Sequence, residues 1–600
     1  MAFRTRWFRA PWVRLVAVFL FGLWVMGLMT SGLGQAEPLA GPVLSPQWHV
    51  KSRSQIEPPE GAHQEVVIVA TSDLHGWVDR STLYPDKRPS GLAYVAPVIS
   101  SLRRKHPALI LLDGGDALRG APNLAWEVSI GSVDPPLILR LMNHLGYSAM
   151  TLGGHDLVRG LPRLERWSNE TTFPFLAGNI TAQGDAGAKS PEGRLLAPPY
   201  HIVEVAGVRI AILGLVTPGV HAWLDSEILQ GWQVGELVAA AKRWVQVLQE
   251  EEKADVIIGL VHAGVSGGYD RDTAVENGLP LPNGAGALAE ATYGTQRRGF
   301  DLIISGHAHK LSPRRPVSGR TLYTTPILEP GAKGEGLGVA TFNLQAKSGR
   351  WRVSNVELKT EFADLQLDSE VMKLARPTLQ KTREWLSAAT GARYVGAGNW
   401  ASPSTRKRPG QCAGALSHQA AKLAAKTLGW EGEVFSLLPA LWRDFKWQPH
   451  PPNTPVTRAD ILRWIPYDNQ FVLTSITARQ AAMLLTPYIR WRERLSVRPT
   501  LVFHPGGLIP ETKDKGTQVL ALQNEAGEAL SNHKNIQVVL TNYHWNGAGG
   551  LVRKALLQPI QKKAMTSLGL QEWIFRVLSD STVPIPKECK RLMEKGKTQD

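Results

Sequence analysis

Five short polar motifs, each placed after an apolar run, constrain this 600-residue chain more than any other feature. Val66–Ala70 leads into Asp73-Leu-His75, Ala108–Leu112 into Asp113-Gly-Gly-Asp116, and Ala149–Leu152 into Gly153-Gly-His155. Val256–Val261 leads into His262, and Leu302–Ile304 into Gly306-His-Ala-His309. Short runs rich in β-branched residues and bounded by turn formers read as buried strands. Helical segments fill the gaps between them, at Leu92–Lys105, Pro136–Leu145 and Val234–Glu251. Strands alternating with helices imply an α/β fold with a largely parallel sheet. Side chains placed after the carboxyl ends of successive parallel strands converge on one crevice.

The residue types at those ends are carboxylates and imidazoles, which suit Zn²⁺, Mn²⁺ or Fe. A carboxylate has two oxygens and can bridge two cations, whereas an imidazole cannot; the set therefore points to a two-metal hydrolase. Asp73 and His75 lie two apart, so on extended backbone they would point the same way, with Gly76 as the following turn. Gly114-Gly115 lets the backbone turn sharply before Asp116, and Gly306 permits close approach ahead of His307 and His309.

The chain is too long for one core, so two domains are expected. Residues 1–36 have a basic start, an apolar stretch and Gly34-Gln-Ala36, the layout of a secretory signal peptide. An uncleaved membrane anchor is the alternative for this segment. A Pro/Ser/Gly-rich linker over 37–63 precedes a first domain at 64–345. A connector with a helix follows at 346–391, then a second domain at 392–580 and a tail at 581–600. Pro377 should kink or divide the connector helix over Leu365–Ala389. Within the second domain an Ala-rich helix at Ala413–Leu428 and strands at Val472–Ile476, Thr500–Phe503 and Val538–Thr541 are expected. Net charge is +15, but Arg4, Arg6, Arg9 and Arg14 sit in the first segment and the remaining excess is dispersed. That dispersion favours a small anionic substrate over nucleic acid. Cys412 and Cys589 allow one disulfide at most, and their spacing leaves pairing open.

These motifs resemble the periplasmic and extracellular 5′-nucleotidase family, whose catalytic domain is a calcineurin-like metallophosphoesterase. The resemblance implies a four-layer sandwich followed by a smaller α/β substrate-binding domain, in a periplasmic or secreted protein. It implies two divalent ions, Mn²⁺ or Zn²⁺, with Asp73, His75, Asp116 and His309 on the first and Asp116, His262 and His307 on the second. A metal-activated hydroxide would cleave a nucleotide or related phosphate ester, and an imidazolium at His155 would offset charge on the phosphoryl group. Ile465-Pro-Tyr-Asp-Asn469 and Val538–Tyr543 with Gly547–Gly550 resemble substrate-binding segments of the second domain. They make Tyr543 or Trp545 the expected base-stacking ring, and Arg443 is the remaining anion-binding candidate of Leu438–Arg443.

Two positions depart from that pattern. Gly154 stands where the family has an Asn ligand, and Val158 where it has the Asp that orients the catalytic histidine. Asp156 is the remaining nearby carboxylate that could serve His155. Gly154-His155 and Asp113-Gly-Gly-Asp116 also resemble the thiosulfohydrolases of sulfur oxidation. That likeness makes a carrier-bound sulfonate, presented by a sulfur-carrier protein, the alternative substrate. A catalytically weak binding relative is the third reading.

Overall fold

The fourteen strands between residues 63 and 362 form two facing six-stranded sheets and one short pair. They are β1 (His63–Thr71), β2 (Ile110–Asp113), β3 (Ala149–Thr151), β4 (Phe175–Leu176), β5 (Ile180–Ala182), β6 (Tyr200–Val205) and β7 (Val208–Val216). There follow β8 (Trp232–Val234), β9 (Val256–His262), β10 (Leu302–Ser305), β11 (Leu311–Arg314), β12 (Ile327–Pro330), β13 (Gly336–Lys347) and β14 (Arg350–Phe362). The structure is a computed structural model. It describes residues 42–595 apart from 49–56, 81–88, 131–134, 184–193, 225–226, 230, 266–283, 292–298, 315–324, 396–406, 442–449, 466–467, 486–500, 505–508, 514–517, 525, 546–561, 588 and 591. The expected signal segment, part of the linker, Arg443 and Gly547–Gly550 lie outside the described residues.

The first sheet has the order β14-β13-β1-β2-β3-β4, and the second β11-β12-β10-β9-β7-β6. Strands β1 to β4 run parallel, as do β7, β9, β10 and β12; β13 pairs antiparallel with β1, and antiparallel β11 and β6 close both edges of the second sheet. Ile68, Ile110 and Leu112 of one sheet pack against Ile210, Ile258 and Ile304 of the other. On the outer faces, helices Leu92–Lys105 and Leu137–Leu145 cover the first sheet and Leu237–Glu250 covers the second. The result is a four-layer helix–sheet–sheet–helix arrangement. Covering both faces explains why β7 and β9 are buried at every residue and read as unbroken apolar runs.

Pro377 does not divide the connector into two helices. A single helix runs over Ser369–Leu386 with Pro377 inside it. Asp368 caps its start by accepting from the Glu370 and Val371 amides at 3.0 and 2.9 Å. Val371, Ala375 and Leu379 recur every fourth residue and bury in the core of the first region. That apolar stripe holds the helix in place despite the missing amide. At its far end Leu386 meets Leu462 of helix Arg458–Trp464, together with Trp77 and Ala121.

Beyond residue 389 a five-stranded mixed sheet is ordered Leu501–His504, Val434–Leu441, Asn535–Thr541, Gln470–Thr477, Lys562–Gly569. Helices Lys407–Thr427 and Leu570–Ser579 pack on it through Leu416, Ala420, Trp573 and Ile574. Cys412 and Cys589 are joined by a disulfide across a sequence separation of 177.

Closing so long a loop restrains the unfolded chain, by about 4 to 5 kcal/mol on the loop-entropy account. Replacing both cysteines with Ala should therefore lower the calorimetric unfolding midpoint; an unchanged midpoint would show that the bond adds no stability. Glu127, on helix Pro122–Ile130, is 3% exposed and accepts from the Leu137 amide at 2.9 Å. Burial pushes its carboxyl up to about 7. A raised carboxyl favours the fold below the unfolded-state value of 4.5, and that contribution is lost as pH rises through about 7. Glu127→Gln should be neutral at pH 4 and stabilising above pH 8, by up to about 3 kcal/mol. Parallel denaturation curves at the two pH values check this.

Candidate metal centre

Every one of the five motifs emerges at the same end of the two sheets. Asp73 and His75 follow β1, Asp116 follows β2, His155 follows β3, His262 ends β9, and His307 and His309 follow β10. Asp73 and His75 do not share a face of an extended strand. Both have left-handed backbone, at φ 52° and 50°, as do Asp116 (59°), His307 (72°) and His309 (55°). Alternation along β1 stops at Thr71, because the Gly114 amide bonds the Thr71 carbonyl and the Asp73 amide bonds the Gly115 carbonyl. Each left-handed non-glycine residue costs on the order of 1 kcal/mol or more, a strain typical of functional sites. Gly153 is required on steric grounds, since a Cβ there would come within 2.2 Å of the Asp116 Oδ1.

Three sets of donor atoms lie within 4.8 Å of one another: Asp73, His75 and His309; His75, Asp116 and His155; and Asp116, His262 and His307. Asp116 belongs to two of them. The ring chemistry fits a cation. His262 Nδ1 sits 2.7 Å from the Gly114 carbonyl and so carries its proton there, which leaves Nε2 as a lone pair. That lone pair faces the Asp116 Oδ2 at 3.1 Å, and two acceptors so placed need a positive charge between them. His75 Nδ1 donates in the same way to the Arg119 carbonyl at 2.7 Å, which turns its Nε2 toward the His309 Nε2 at 3.0 Å. A backbone carbonyl behind each ring is the usual support of a metal-binding histidine. Asp73 is oriented by the Ser72 hydroxyl at 2.6 Å and by the His307 amide at 2.9 Å.

Charge at the centre follows from burial and proximity. Burial alone would raise the Asp116 carboxyl, but His262 and His155 hold it well below the usual range. Burial works against a second proton on His262, yet the Asp116 carboxylate pushes that ring up to about 10, so the positive charge between Nε2 and Oδ2 is a proton that a cation would displace. Burial drives His75 down to about 4 and His155 down to about 3. Burial thus works against the imidazolium anticipated at His155 from sequence. Its Nδ1 is buried without a hydrogen-bond partner among the described residues.

Asp156 does not serve that ring. Its carboxylate accepts from the Asp116, Leu118 and Gly153 amides, all at 2.8 Å, while the His155 amide donates to the Asp116 Oδ1 at 2.7 Å. The two loops are thus stapled together beneath Asp116. Burial and the nearby Asp116 charge push the Asp156 carboxyl up to about 7. Sequence reasoning missed this clamp, as it missed Ser72 and the buried Tyr147–Thr71–Asp113 chain, linked at 2.8 and 2.7 Å. The one available signal was the placement of Asp156 three residues after Gly153, a helix-start pattern.

Tyr543 and Trp545 lie on a short helix, Asn542–Trp545, that packs against Val220–Trp223 just after β7. Trp545 is half-buried against the core of the second-region sheet. Among the described contacts, Arg119 Nη2 donates to the Asp468 carbonyl at 3.0 Å, from the loop that follows Asp116.

Residues 66–311 match the model of the calcineurin-like phosphoesterase family, so the chain carries a calcineurin-like metallophosphoesterase domain. Among curated relatives, the trifunctional nucleotide phosphoesterase YfkN of Bacillus subtilis is 28% identical over 353 residues. The match covers 54% of this chain and only 23% of that protein. A putative 5′-nucleotidase of Staphylococcus aureus shares the fold, with TM-score 0.64 at 18% identity, covering 87% of this chain and 98% of that one. The thiohydrolase SoxB of Thermus thermophilus gives TM-score 0.50 at 17% identity, covering 87% and 95%. The two-region architecture is that of the 5′-nucleotidase fold.

Asp116→Ala should reduce bound Mn²⁺ or Zn²⁺ from two equivalents to none by elemental analysis. Retention of two equivalents in a folded variant would refute a bridging role.

Proposed function

We propose that the protein is an exported, two-metal phosphoesterase that hydrolyses nucleotides or closely related phosphate esters. The observation that carries this reading is Asp116, shared between two donor sets and faced by the lone pair of His262. Asp73, His75, Asp116 and His309 would hold one divalent ion, Mn²⁺ or Zn²⁺, and Asp116, His262 and His307 the other. Such a pair supplies Lewis acidity toward phosphoryl oxygens and activates water at neutral pH. The chain's own residues fix the geometry. Asp156 holds the Asp116 loop, Ser72 aims Asp73, and carbonyls of Gly114 and Arg119 set the His262 and His75 tautomers. His155, set beside Asp116 and His75, serves as hydrogen-bond donor to the phosphoryl group.

Nucleotides are favoured as substrates because the YfkN relative is named a nucleotide phosphoesterase and the fold matches a putative 5′-nucleotidase. The short helix carrying Tyr543 and Trp545 reaches Val220–Trp223, whose preceding strand β7 pairs Val216 with His262. That contact supports a base-binding role for the second-region helix. Export is supported by the Cys412–Cys589 disulfide and by the basic-then-apolar residues 1–36. Among the described residues no helix is long and apolar enough to cross a membrane. The sulfonate alternative rests on Gly154 and Asp113–Asp116 alone, and the SoxB likeness is one of fold.

Purified protein with added Mn²⁺ or Zn²⁺ should hydrolyse AMP, a 2′,3′-cyclic nucleotide or an aryl phosphate, and lose that activity to a chelator. Two bound equivalents of metal with no turnover of any of the three would overturn the phosphoesterase reading.

A further inference from the structure

The Asp113-Gly-Gly-Asp116 turn supplies one side chain to the donor sets, yet its backbone holds ligands that arise from other strands. The Gly114 carbonyl accepts from His262 Nδ1 at 2.7 Å, which sets the tautomer of that ring. The Gly115 carbonyl accepts from the Asp73 amide at 2.8 Å, and the Asp116 carbonyl from the His75 amide at 2.9 Å. Ligands assigned to both ions thus hang from three consecutive carbonyls. The turn has no slack. A Cβ at Gly115 would come within 2.9 Å of His262 Nδ1, and one at Gly306 within 2.6 Å of the Gly114 carbonyl. Any shift of these peptides therefore displaces His262 or the loop after β10.

The turn is fixed by a side chain that belongs to none of the three donor sets. Asp113 is buried at the end of β2 and stands opposite Thr71 of β1 in the sheet register. Its Oδ1 accepts from the Gly115 amide at 2.9 Å, and its Oδ2 from the Thr71 hydroxyl at 2.7 Å. With the Thr71 proton so used, the Tyr147 hydroxyl donates to Thr71 Oγ1 at 2.8 Å. Tyr147 is buried just ahead of β3, so these bonds run from β1 over β2 to the start of β3. Burial pushes the Asp113 carboxyl well above its usual range, against the pull of Thr71 and Gly115. A buried Gly115 amide deprived of this acceptor would turn toward another, and the Gly114 and Gly115 carbonyls would turn with it.

We propose that Asp113 is a positioning residue of the metal centre: its carboxyl locks the turn whose carbonyls aim His262 and hold Asp73. It acts on both proposed ion sites at once, through Gly114 on one and Gly115 on the other. The inference rests on the two-metal reading above and adds to it a residue that contributes no ligand. Carbonyl and carboxylate supports behind the ligands govern metal affinity nearly as strongly as the ligands themselves.

The test follows Mn²⁺ binding to the full chain by calorimetry and electron paramagnetic resonance, with circular dichroism for the fold and AMP turnover alongside. Asp113→Ala should weaken Mn²⁺ binding by about tenfold to a hundredfold and replace the spectrum of a coupled ion pair with that of isolated ions. A merely structural role would lower the unfolding midpoint and leave the spectrum of the bound pair unchanged. Asp113→Asn keeps an acceptor for the Gly115 amide and offers an N–H to Thr71, whose hydroxyl can then turn to Tyr147. It should bring affinity back to within about threefold of wild type, the scale of one modest net hydrogen bond. Wild-type affinity with an unchanged coupled spectrum in Asp113→Ala would overturn the assignment, as would equal losses in the Ala and Asn variants. Thr71→Val removes one of the two bonds to Asp113 and should weaken binding by about threefold. Unchanged affinity in that variant would overturn the assignment even where Asp113→Ala does not fold. Wild-type protein that binds the ion pair without hydrolysing AMP or an aryl phosphate would overturn the phosphoesterase reading, and the titration would still decide the role of Asp113. Wild-type protein that binds neither Mn²⁺ nor Zn²⁺ would overturn both.

Discussion

The Asp116 carboxylate is the constraint on which the rest of the centre depends. It is buried, charged, and placed between two groups of imidazoles, so it must be held against both desolvation and rotation. The His155 amide fixes one oxygen, the His262 ring faces the other, and Asp156 secures the loop below. Gly153 provides the space that Oδ1 occupies. These contacts join different strand ends, so the site exists only when β2 and β3 of one sheet and β9 of the facing sheet bring their carboxyl ends together. Left-handed backbone at five of the donor residues is the local cost of aiming their side chains inward.

Much of this was legible in the sequence because buried parallel strands and metal ligands leave unmistakable local patterns. The apolar runs before each motif became strands, and the helix expected at Leu92–Lys105 has those bounds. Alternation misled at Asp73 and His75, since a period of two holds only while the backbone stays extended. Pro377 misled in the opposite sense: its cost is local, while the stripe of Val371, Ala375 and Leu379 binds a distant core. The Asp156 clamp, the unassisted His155 and the Cys412–Cys589 bond depend on contacts between segments far apart in sequence. The sequence hints at the clamp only through the Gly153-to-Asp156 spacing and at the bond only through the presence of two cysteines. The Arg119 contact with Asp468 left no such hint, because a single basic residue after a ligand says nothing about its partner.

Gly154 and Val158 change the chemistry around His155 without dismantling the donor set. No carboxylate takes the place that Val158 leaves open, since Asp156 is spent on backbone amides and the His155 Nδ1 remains buried without a partner among the described residues. An imidazole in that setting gives up a proton readily and is poorly suited to carry a charge. Under the reading proposed above, charge on a phosphoryl group would then be offset mainly by the two cations rather than by the ring itself. The balance of the centre is thereby shifted from a dyad toward fixed positive charge.

The donor residues run from position 73 to position 309, and β1 reaches its antiparallel neighbour β13 only at residues 338–345. During synthesis, therefore, a nascent chain presents isolated imidazoles and carboxylates long before it presents a coordination shell. The identity of the ion is then decided by whichever solution surrounds the chain when that last pairing closes. Under the export proposed above, the choice between metals would belong to the environment of arrival and its free-metal concentrations, more than to any preference written into the ligands.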